Sequence, residues 1–591
     1  MATLHDPFKS EIAHIVCAQL KKTAQELGLD VQITEKDIYN QLTVPPDFSL
    51  GQAALPCFLF AKSFKKAPNK IAQELAQSLN SQENKLVDKI ECVNAYLNFH
   101  CQFKKLAESF SNSLKSGEYF KRDLLEENEK DKIVVEYSQP NTHKAMHVGH
   151  LRCLVLGDSV SNLLEYAGNG VVRATYPGDV GTHVAKIIWY LTHPTKKELP
   201  KENQCRWLGQ MYAEADEAFK QTKGKEEEVE VKEHISEILR QLNNTSGEYY
   251  ELWKETREWS LNELKDIYKW LNSHFDIWYF ESECEAPSKL LVKRKFEEGF
   301  FIKDNGAIGI DLSQWKLGFA MFLKSDGNGL YLTKDLDLIT RKFSDPKVTK
   351  SIVVVDSRQK LHFQQLFKTA ELMGYPQAVK SVHLSYETVN TEDGKPFSSR
   401  QLNGLQLVDL RLKMEEKVKT DYLERYRGQW SNEEIELTAK NITIGALKYG
   451  MLRVDNNTQI NFSLEEWLKL DGETGPYLQY VHARCSSILE KLGSAKENIN
   501  FVINENAEKE LLFILSRFND FALQAAQQNR PSILTGYLYD TAKSFNRFYE
   551  QCPIKNAEEN IKETRLTLVE NTKKVISEGL SLLGIPAPQK M

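Results

Sequence analysis

The sequence predicts an α/β chain: a domain built on a parallel sheet, preceded by an α+β unit and followed by an all-α one. Three observations carry this. Lys132-Ile133-Val134-Val135-Glu136-Tyr137 and Val171-Val172-Arg173-Ala174-Thr175-Tyr176 are short apolar runs rich in β-branched residues, as buried strands are. Between them Leu151, Leu154, Val155, Val160, Leu163 and Leu164 recur at helical spacing, and Gly168-Asn169-Gly170 supplies a stop. From about residue 435 onward the apolar pattern is almost purely helical.

Taken in order, residues 1–115 read as a separate unit. It opens with an amphipathic helix (Ile12, Ile15, Val16, Leu20), breaks at Pro45-Pro46 and contains an alternating, half-buried strand at 93–99. Its Lys62-Ser63-Phe64-Lys65-Lys66 cluster, with Lys70 nearby, is either a phosphate-contacting patch containing an aromatic or a solvated helix face. The charged stretch 121–131 reads as a linker. The α/β domain spans 130–390, with a polar, helical insertion at about 195–285 and further strand signals at Ala307–Asp311 and Ser351–Asp356. A region at 391–450 leads to the helical unit, 451–591.

A chain of 591 residues, 41% hydrophobic and 27% charged, belongs to the ordinary globular class. No apolar run approaches the ~18 residues of a membrane span, and the first residues have no signal-peptide pattern. Nine cysteines, none at CxxC spacing, indicate neither a zinc site nor a disulfide framework, so reduced thiols in a cytoplasmic compartment are expected. A net charge of −6 is neutral as to nucleic acid, because phosphate binding needs only a local basic face.

The chemistry concentrates in Ser138-Gln139-Pro140-Asn141-Thr142-His143-Lys144-Ala145-Met146-His147-Val148-Gly149-His150-Leu151-Arg152, between a strand and its helix. A helix whose first turn emerges from the carboxyl edge of a parallel sheet offers free amides and a positive dipole end, both suited to phosphate. Gly149 lets a backbone or flat base approach, and His147 and His150 can donate hydrogen bonds to phosphoryl oxygens. A metal site is not indicated, since no third ligand stands at matching spacing.

His147-Val148-Gly149-His150 resembles the His-Ile-Gly-His signature of class I aminoacyl-tRNA synthetases, and the longer string resembles the arginyl-tRNA synthetase version. Tyr176-Pro177-Gly178-Asp179-Val180-Gly181-Thr182-His183 is similar to that family's Gly-Asp-Trp-Gly-Thr-Gln segment, with Val180 and His183 departing from the usual Trp and Gln. Tyr331–Asp335, Ser357–Phe363, Gly475–Arg484 and Phe545–Tyr549 resemble further family segments in the same order. The resemblance implies a Rossmann-type catalytic domain, an N-terminal domain contacting the tRNA elbow, a signature-loop and stem-contact region at 391–450, and a helical anticodon-binding domain.

It also implies site residues. Glu281, Tyr331 and Asp335 are expected at the guanidinium end of arginine, where fixed acceptors match its planar fork of donors. Asn141, Gln139, Gln359 and His150 are expected at the ammonium–carboxylate end, supported by Glu136; Gln139 replaces a small residue, so its contact is expected through backbone. For Asp335 a helix cap before Leu336 is the structural alternative, and for the amides a loop-capping role. Asp393-Gly394-Lys395-Pro396-Phe397-Ser398-Ser399-Arg400 corresponds to the family's Lys-Met-Ser-Lys-Ser loop but lacks its second lysine. Lys144 is expected to compensate at the ATP phosphates, with His147, Gly149, His150, Ser398 and Ser399 also binding ATP and Lys395 and Arg400 assisting.

The implied reaction is arginine activation with ATP and transfer to tRNA(Arg), with Mg²⁺ arriving on ATP and no structural metal. Tyr477, Tyr480 and Arg484, with Arg547 and Tyr549, are candidates for RNA contact, although most helical aromatics are core. The resemblance implies a monomer without membrane attachment. A cysteinyl or methionyl ligase and a catalytically silent RNA-binding paralogue are the rival readings. The lack of a zinc-binding cysteine set, with Tyr331 and Asp335 in place, argues against the first; intact His147, Gly149, His150, Asp335 and Gln359 argue against the second.

Overall fold

The computed structural model describes residues 5–395, 406–496 and 499–591. At its centre lies a five-stranded sheet of β1 (Lys132–Glu136), β2 (Gly170–Thr175), β3 (Ile277–Trp278), β7 (Lys350–Asp356) and β8 (Val382–Tyr386), in the order β8-β7-β1-β2-β3 and parallel throughout. The chain leaves β1 towards β2 on one side and later returns to β7 on the other. The crevice at the carboxyl ends of β1 and β7 is therefore the topological switch point where ligands bind in such sheets.

Helix α1 (Val148–Tyr166) follows β1 directly, and the residues read as its apolar face (Leu151, Leu154, Val155, Val160, Leu163, Leu164) are all buried. Gly168 turns the chain out with φ +108°, a conformation that disfavours a side chain. Helix α2 (Thr182–Thr192) follows β2, and α3 (Gln204–Thr222), α4 (Glu227–Asn243) and α5 (Glu248–Trp270) pack beside it as the expected insertion. That insertion is shorter than the sequence reading: β3, inside the stretch assigned to it, is the edge strand of the parallel sheet.

After α6 (Glu281–Glu297), β4 (Ile302–Asp304), β5 (Ala307–Asp311) and β6 (Phe319–Leu323) form a small antiparallel sheet of their own. The strand signal at 307–311 thus belongs outside the parallel sheet, because short connections at Asn305-Gly306 and 312–318 can join only antiparallel neighbours. Helices α7 (Tyr331–Lys342) and α8 (Lys360–Leu372) cover the sheet. Beyond β8, a two-stranded parallel ladder joins β9 (Val389–Asn390) to β10 (Ile460–Asn461).

The helical part comprises α9 (Leu407–Val418), α10 (Asn432–Leu452), α11 (Gly475–Leu492), α12 (Asn506–Leu515), α13 (Phe518–Gln528), α14 (Pro531–Gln551) and α15 (Glu559–Leu582). Its core is continuous with that of α1 and of the N-terminal unit. In that unit a helix, Pro7–Glu26, buries Ile12, Val16 and Leu20 against a three-stranded antiparallel sheet and two further helices. The stretch 93–99 is a hairpin rather than one strand, turning at Asn94, whose φ is +54°. Phe64 is buried and Lys66 pairs with Glu74 at 2.7 Å, so the lysine cluster presents no exposed aromatic there. The unit docks on α13, where Tyr39 Oη donates to Asp520 at 2.6 Å and Lys9 pairs with the same carboxylate at 3.2 Å.

Lys448 of α10 and Asp158 of α1 pair at 2.8 Å with both side chains out of solvent, under Gly584. Removing one partner leaves the other charge buried alone, which costs about 3–5 kcal/mol. Lys448→Ala should therefore lower unfolding stability by about that amount, read as the urea midpoint of tryptophan fluorescence, whereas Lys417→Ala on the half-exposed surface should barely shift it.

Candidate active site

The loop from β1 to α1 is held in a strained path. Ser138 and His143 adopt φ +56° and +64°, in the left-handed region that non-glycine residues avoid. Helix α5 holds both: Ser138 Oγ shares a 2.9 Å hydrogen bond with Tyr268, and His143 is buried between the Thr142 and Thr256 hydroxyls, each at 2.9 Å, with its amide donating to Ser260 Oγ. The insertion thereby sets the position of the helix start.

That start is built from the two histidines. His147 caps α1, its Nδ1 accepting the Gly149 amide at 3.1 Å, while His150 Nδ1 accepts the His147 amide at 3.2 Å. The rings stack with centroids 3.9 Å apart. Burial, reinforced by the nearby Lys144 ammonium, pushes His147 down to about 4; burial, His147 and Lys144 push His150 to about 3. Both are neutral at pH 7. Since Nδ1 accepts in each, the ring proton sits on Nε2, and that N–H remains for a ligand.

Beside this turn opens a cavity of about 900 Å³. Its wall brings together Asn141 and Lys144 from the loop, Glu281 from α6, Tyr331 and Lys334 from α7, and His183 from α2. Gly178 permits this meeting: a Cβ there would lie 2.3 Å from Asn141 Oδ1 and 3.4 Å from Glu281 Oε1. Lys144 stands over the Tyr212 ring at 4.8 Å. Lys334 bonds Glu281 at 2.8 Å and Glu285 at 3.2 Å; burial alone would lower its ammonium, and the two carboxylates more than offset that.

The other predicted residues, His147, Gly149 and His150 among them, do not line this wall. Asp335 lies inside α7, so it is not a cap, and its Oδ2 is 2.5 Å from His362 Nε2 of α8. Glu136 is buried at the end of β1 and paired with Lys342, and it accepts from Gln139 Nε2 at 3.2 Å. Gln139 therefore turns its side chain back into the sheet edge. Gln359 is exposed at the carboxyl end of β7, across the crevice. Lys395 is exposed and pairs with Asp393 at 2.8 Å; Ser398, Ser399 and Arg400 fall outside the described residues.

The two departures from the family string are accommodated. Val180 packs against the cluster of α2, α4 and α5. His183 lines the cavity with a buried Nε2 that no protein atom satisfies, and burial holds it at about 4. Asp179, fully buried, accepts from Arg257 Nε at 2.7 Å and from the Ser282 amide and hydroxyl, anchoring α6 and hence Glu281. His362, Lys334 and Asp179 lie within the family-like segments Ser357–Phe363, Tyr331–Asp335 and Tyr176–His183, yet nothing in the local residue pattern marks the contacts they make here. On the helical domain, Tyr477 accepts from Asn546 at 2.8 Å, and the Arg484 guanidinium lies over Tyr549 (4.5 Å) and Tyr480 (5.9 Å), while Arg547 pairs with Glu510.

Comparison with known proteins gives a consistent result. The family described as tRNA synthetases class I (R), catalytic domain, matches residues 112–464; the DALR anticodon binding domain matches 478–591, and the arginyl tRNA synthetase N terminal domain matches 10–101. An arginine–tRNA ligase of Bdellovibrio bacteriovorus is 43% identical over 95% of this chain and 96% of its own length. One from Clostridioides difficile is 33% identical over 95% and 97%. The structure of Thermus thermophilus arginyl-tRNA synthetase superposes with a TM-score of 0.80 at 26% identity, covering 100% of both chains.

His143 and His150 lie at about 3, His147 and His183 at about 4, below the 6.5 of an unfolded histidine, burial being the main cause in each. As pH falls below 6.5 the unfolded chain takes up protons that the folded chain refuses, so stability drops down to about pH 4. The thermal midpoint should decline between about pH 7 and about pH 5, and His143→Gln should flatten that slope.

Proposed function

The chain belongs to the arginyl-tRNA synthetase family, and from that premise we propose that it is an arginine–tRNA ligase. It activates L-arginine with ATP and transfers the arginyl group to the 3′ end of tRNA(Arg), releasing pyrophosphate and AMP. The observation that carries the site assignment is the amide-locked histidine pair. Two neutral rings at a helix N-terminus, each with Nε2–H left over, are donors for phosphoryl oxygens that need no proton exchanged during reaction.

In the first step the arginine carboxylate attacks the α-phosphorus, and the bond to pyrophosphate breaks. His147, His150 and Lys144 stabilise the charge that grows on the phosphoryl oxygens, and Gly149, whose amide is taken by His147, leaves room for ATP to approach the turn. Lys395, Ser398 and Ser399 assist from the loop, and Mg²⁺ enters with ATP, held by phosphates and water. In the second step the terminal ribose hydroxyl attacks the acyl carbon and AMP leaves. Positioning and charge stabilisation account for both without a protein nucleophile.

Arginine is read from both ends. Glu281, Tyr331 and Asp335 receive the guanidinium; Asn141, Gln359, His150 and the Gln139 backbone hold the ammonium and carboxylate, with Glu136 behind them. In the structure Glu281 faces Lys334 and Asp335 faces His362, so both carboxylates already have cationic or N–H partners. An incoming guanidinium meets oriented acceptors, and its fixed fork exploits them better than the point charge of lysine does.

Tyr477, Tyr480 and Arg484 offer stacking and cation–π surfaces for the anticodon region. The protein acts as a monomer in the cytoplasm, away from membranes; among the described residues no helix is long and apolar enough to cross one.

Purified protein with ATP, Mg²⁺, total tRNA and each amino acid in turn should charge arginine alone. Equal charging of lysine would overturn the assignment. Asp335→Asn should raise the arginine KM far more than the ATP KM, and equal shifts would remove its guanidinium role. His150→Ala should slow adenylation by about 10²–10³-fold, measured by single-turnover kinetics.

A further inference from the structure

Arg152 lies five residues beyond the cap of α1, is 1% exposed, and is held by carbonyl oxygens rather than by a carboxylate. Its Nη1 donates to Glu387 O at 2.5 Å and Thr458 O at 2.8 Å; its Nη2 donates to Asp455 O and Asn456 O, each at 3.2 Å. The Tyr386 ring lies 5.9 Å away. Burial lowers the guanidinium to about 10, so it stays charged at neutral pH.

The four carbonyls come from two segments far apart in sequence. Glu387 opens the link from β8 to β9, and 455–458 lies within the link from α10 to β10. The Glu387 amide donates to Asn456 O at 3.0 Å, and the β9–β10 ladder continues the junction through Val389 and Asn390. Directly after β9, Thr391 closes a turn over Asp393-Gly394-Lys395, its hydroxyl accepting from the Lys395 amide at 3.2 Å and donating to the Lys395 carbonyl at 2.9 Å. On the other side of α1, Leu407 N donates to Met146 O at 2.8 Å and His147 bridges Gln406. Residues 146–152, at the start of α1, therefore bond the backbone both before Thr391 and at Gln406 and Leu407.

We propose that Arg152 is a positioning residue for the ATP step: by tying both segments to the helix that carries His147 and His150, it fixes where β9 and the Lys395 turn stand relative to the phosphate donors. A planar, five-donor group suits this role, because the acceptors lie on two separate backbones. Lysine offers three donors from one point and leaves part of the carbonyl set unsatisfied. Among the described residues the arginine end of the site, on α6 and α7, makes no hydrogen bond to this junction. The proposal rests on the ligase reading above.

The test is aminoacylation of total tRNA with arginine, varying ATP and arginine separately, for wild type and Arg152→Lys. Arg152→Lys should lose about 10–100-fold in kcat/KM for ATP, as a ~1 Å misplacement does, while its arginine KM stays within about twofold. Equal losses for both substrates, or no loss, would overturn the proposal. If Arg152→Lys fails to fold, Thr391→Ala, altered at the half-exposed turn, decides: a higher ATP KM with unchanged arginine KM supports it, and unchanged kinetics overturns it. Wild type that charges no arginine would instead defeat the ligase reading itself.

Discussion

A backbone amide at a helix N-terminus can be satisfied by a side chain or by a ligand, and in α1 the choice has been divided. His147 and His150 take the Gly149 and His147 amides on Nδ1, which settles which nitrogen carries the proton and leaves Nε2–H to the crevice. Much of the surrounding structure serves that arrangement. The rings must stay neutral, hence their burial beside Lys144. The loop must deliver His147 in an extended conformation directly after a left-handed bend at His143, hence the hydroxyls of Thr142, Thr256 and Ser260.

The same economy governs the carboxylates. Glu281, Glu285 and Glu136 are paired with Lys334 or Lys342, and Asp335 faces His362. Each of these carboxylates is thus held in position by a partner within the protein. Asp179 performs the anchoring: with no solvent contact, it binds Arg257 and the first turn of α6 at once and so fixes the distance between the insertion and Glu281.

Much of this was legible in the residues. The strand–loop–helix–strand run at 132–176 could be read because buried parallel strands are continuously apolar and α1 buries a regular face. What was not legible depended on pairing partners far away in sequence. Ala307–Asp311 is as strand-like as β1, and only its neighbours place it in an antiparallel sheet. For Asp335 the cap alternative falls away because the helix already begins at Tyr331, after Leu330, a start that carries no capping side chain of the usual type to mark it in the sequence. Lys334, His362 and Arg152 stood inside quoted strings, yet their partners lie tens to hundreds of residues off. Spacing along the chain cannot reveal such contacts.

The docking of the first helical segment on α13 has a consequence for biogenesis. Asp6, Lys9 and Tyr39 find their partners at Arg517 and Asp520, hundreds of residues further along the chain. A ribosome releases the amino end first, so these polar groups and the apolar face beside Phe513 find their partners only once the chain has grown 511 residues beyond Lys9. The docked arrangement of this first unit is therefore reached long after its own residues have been made.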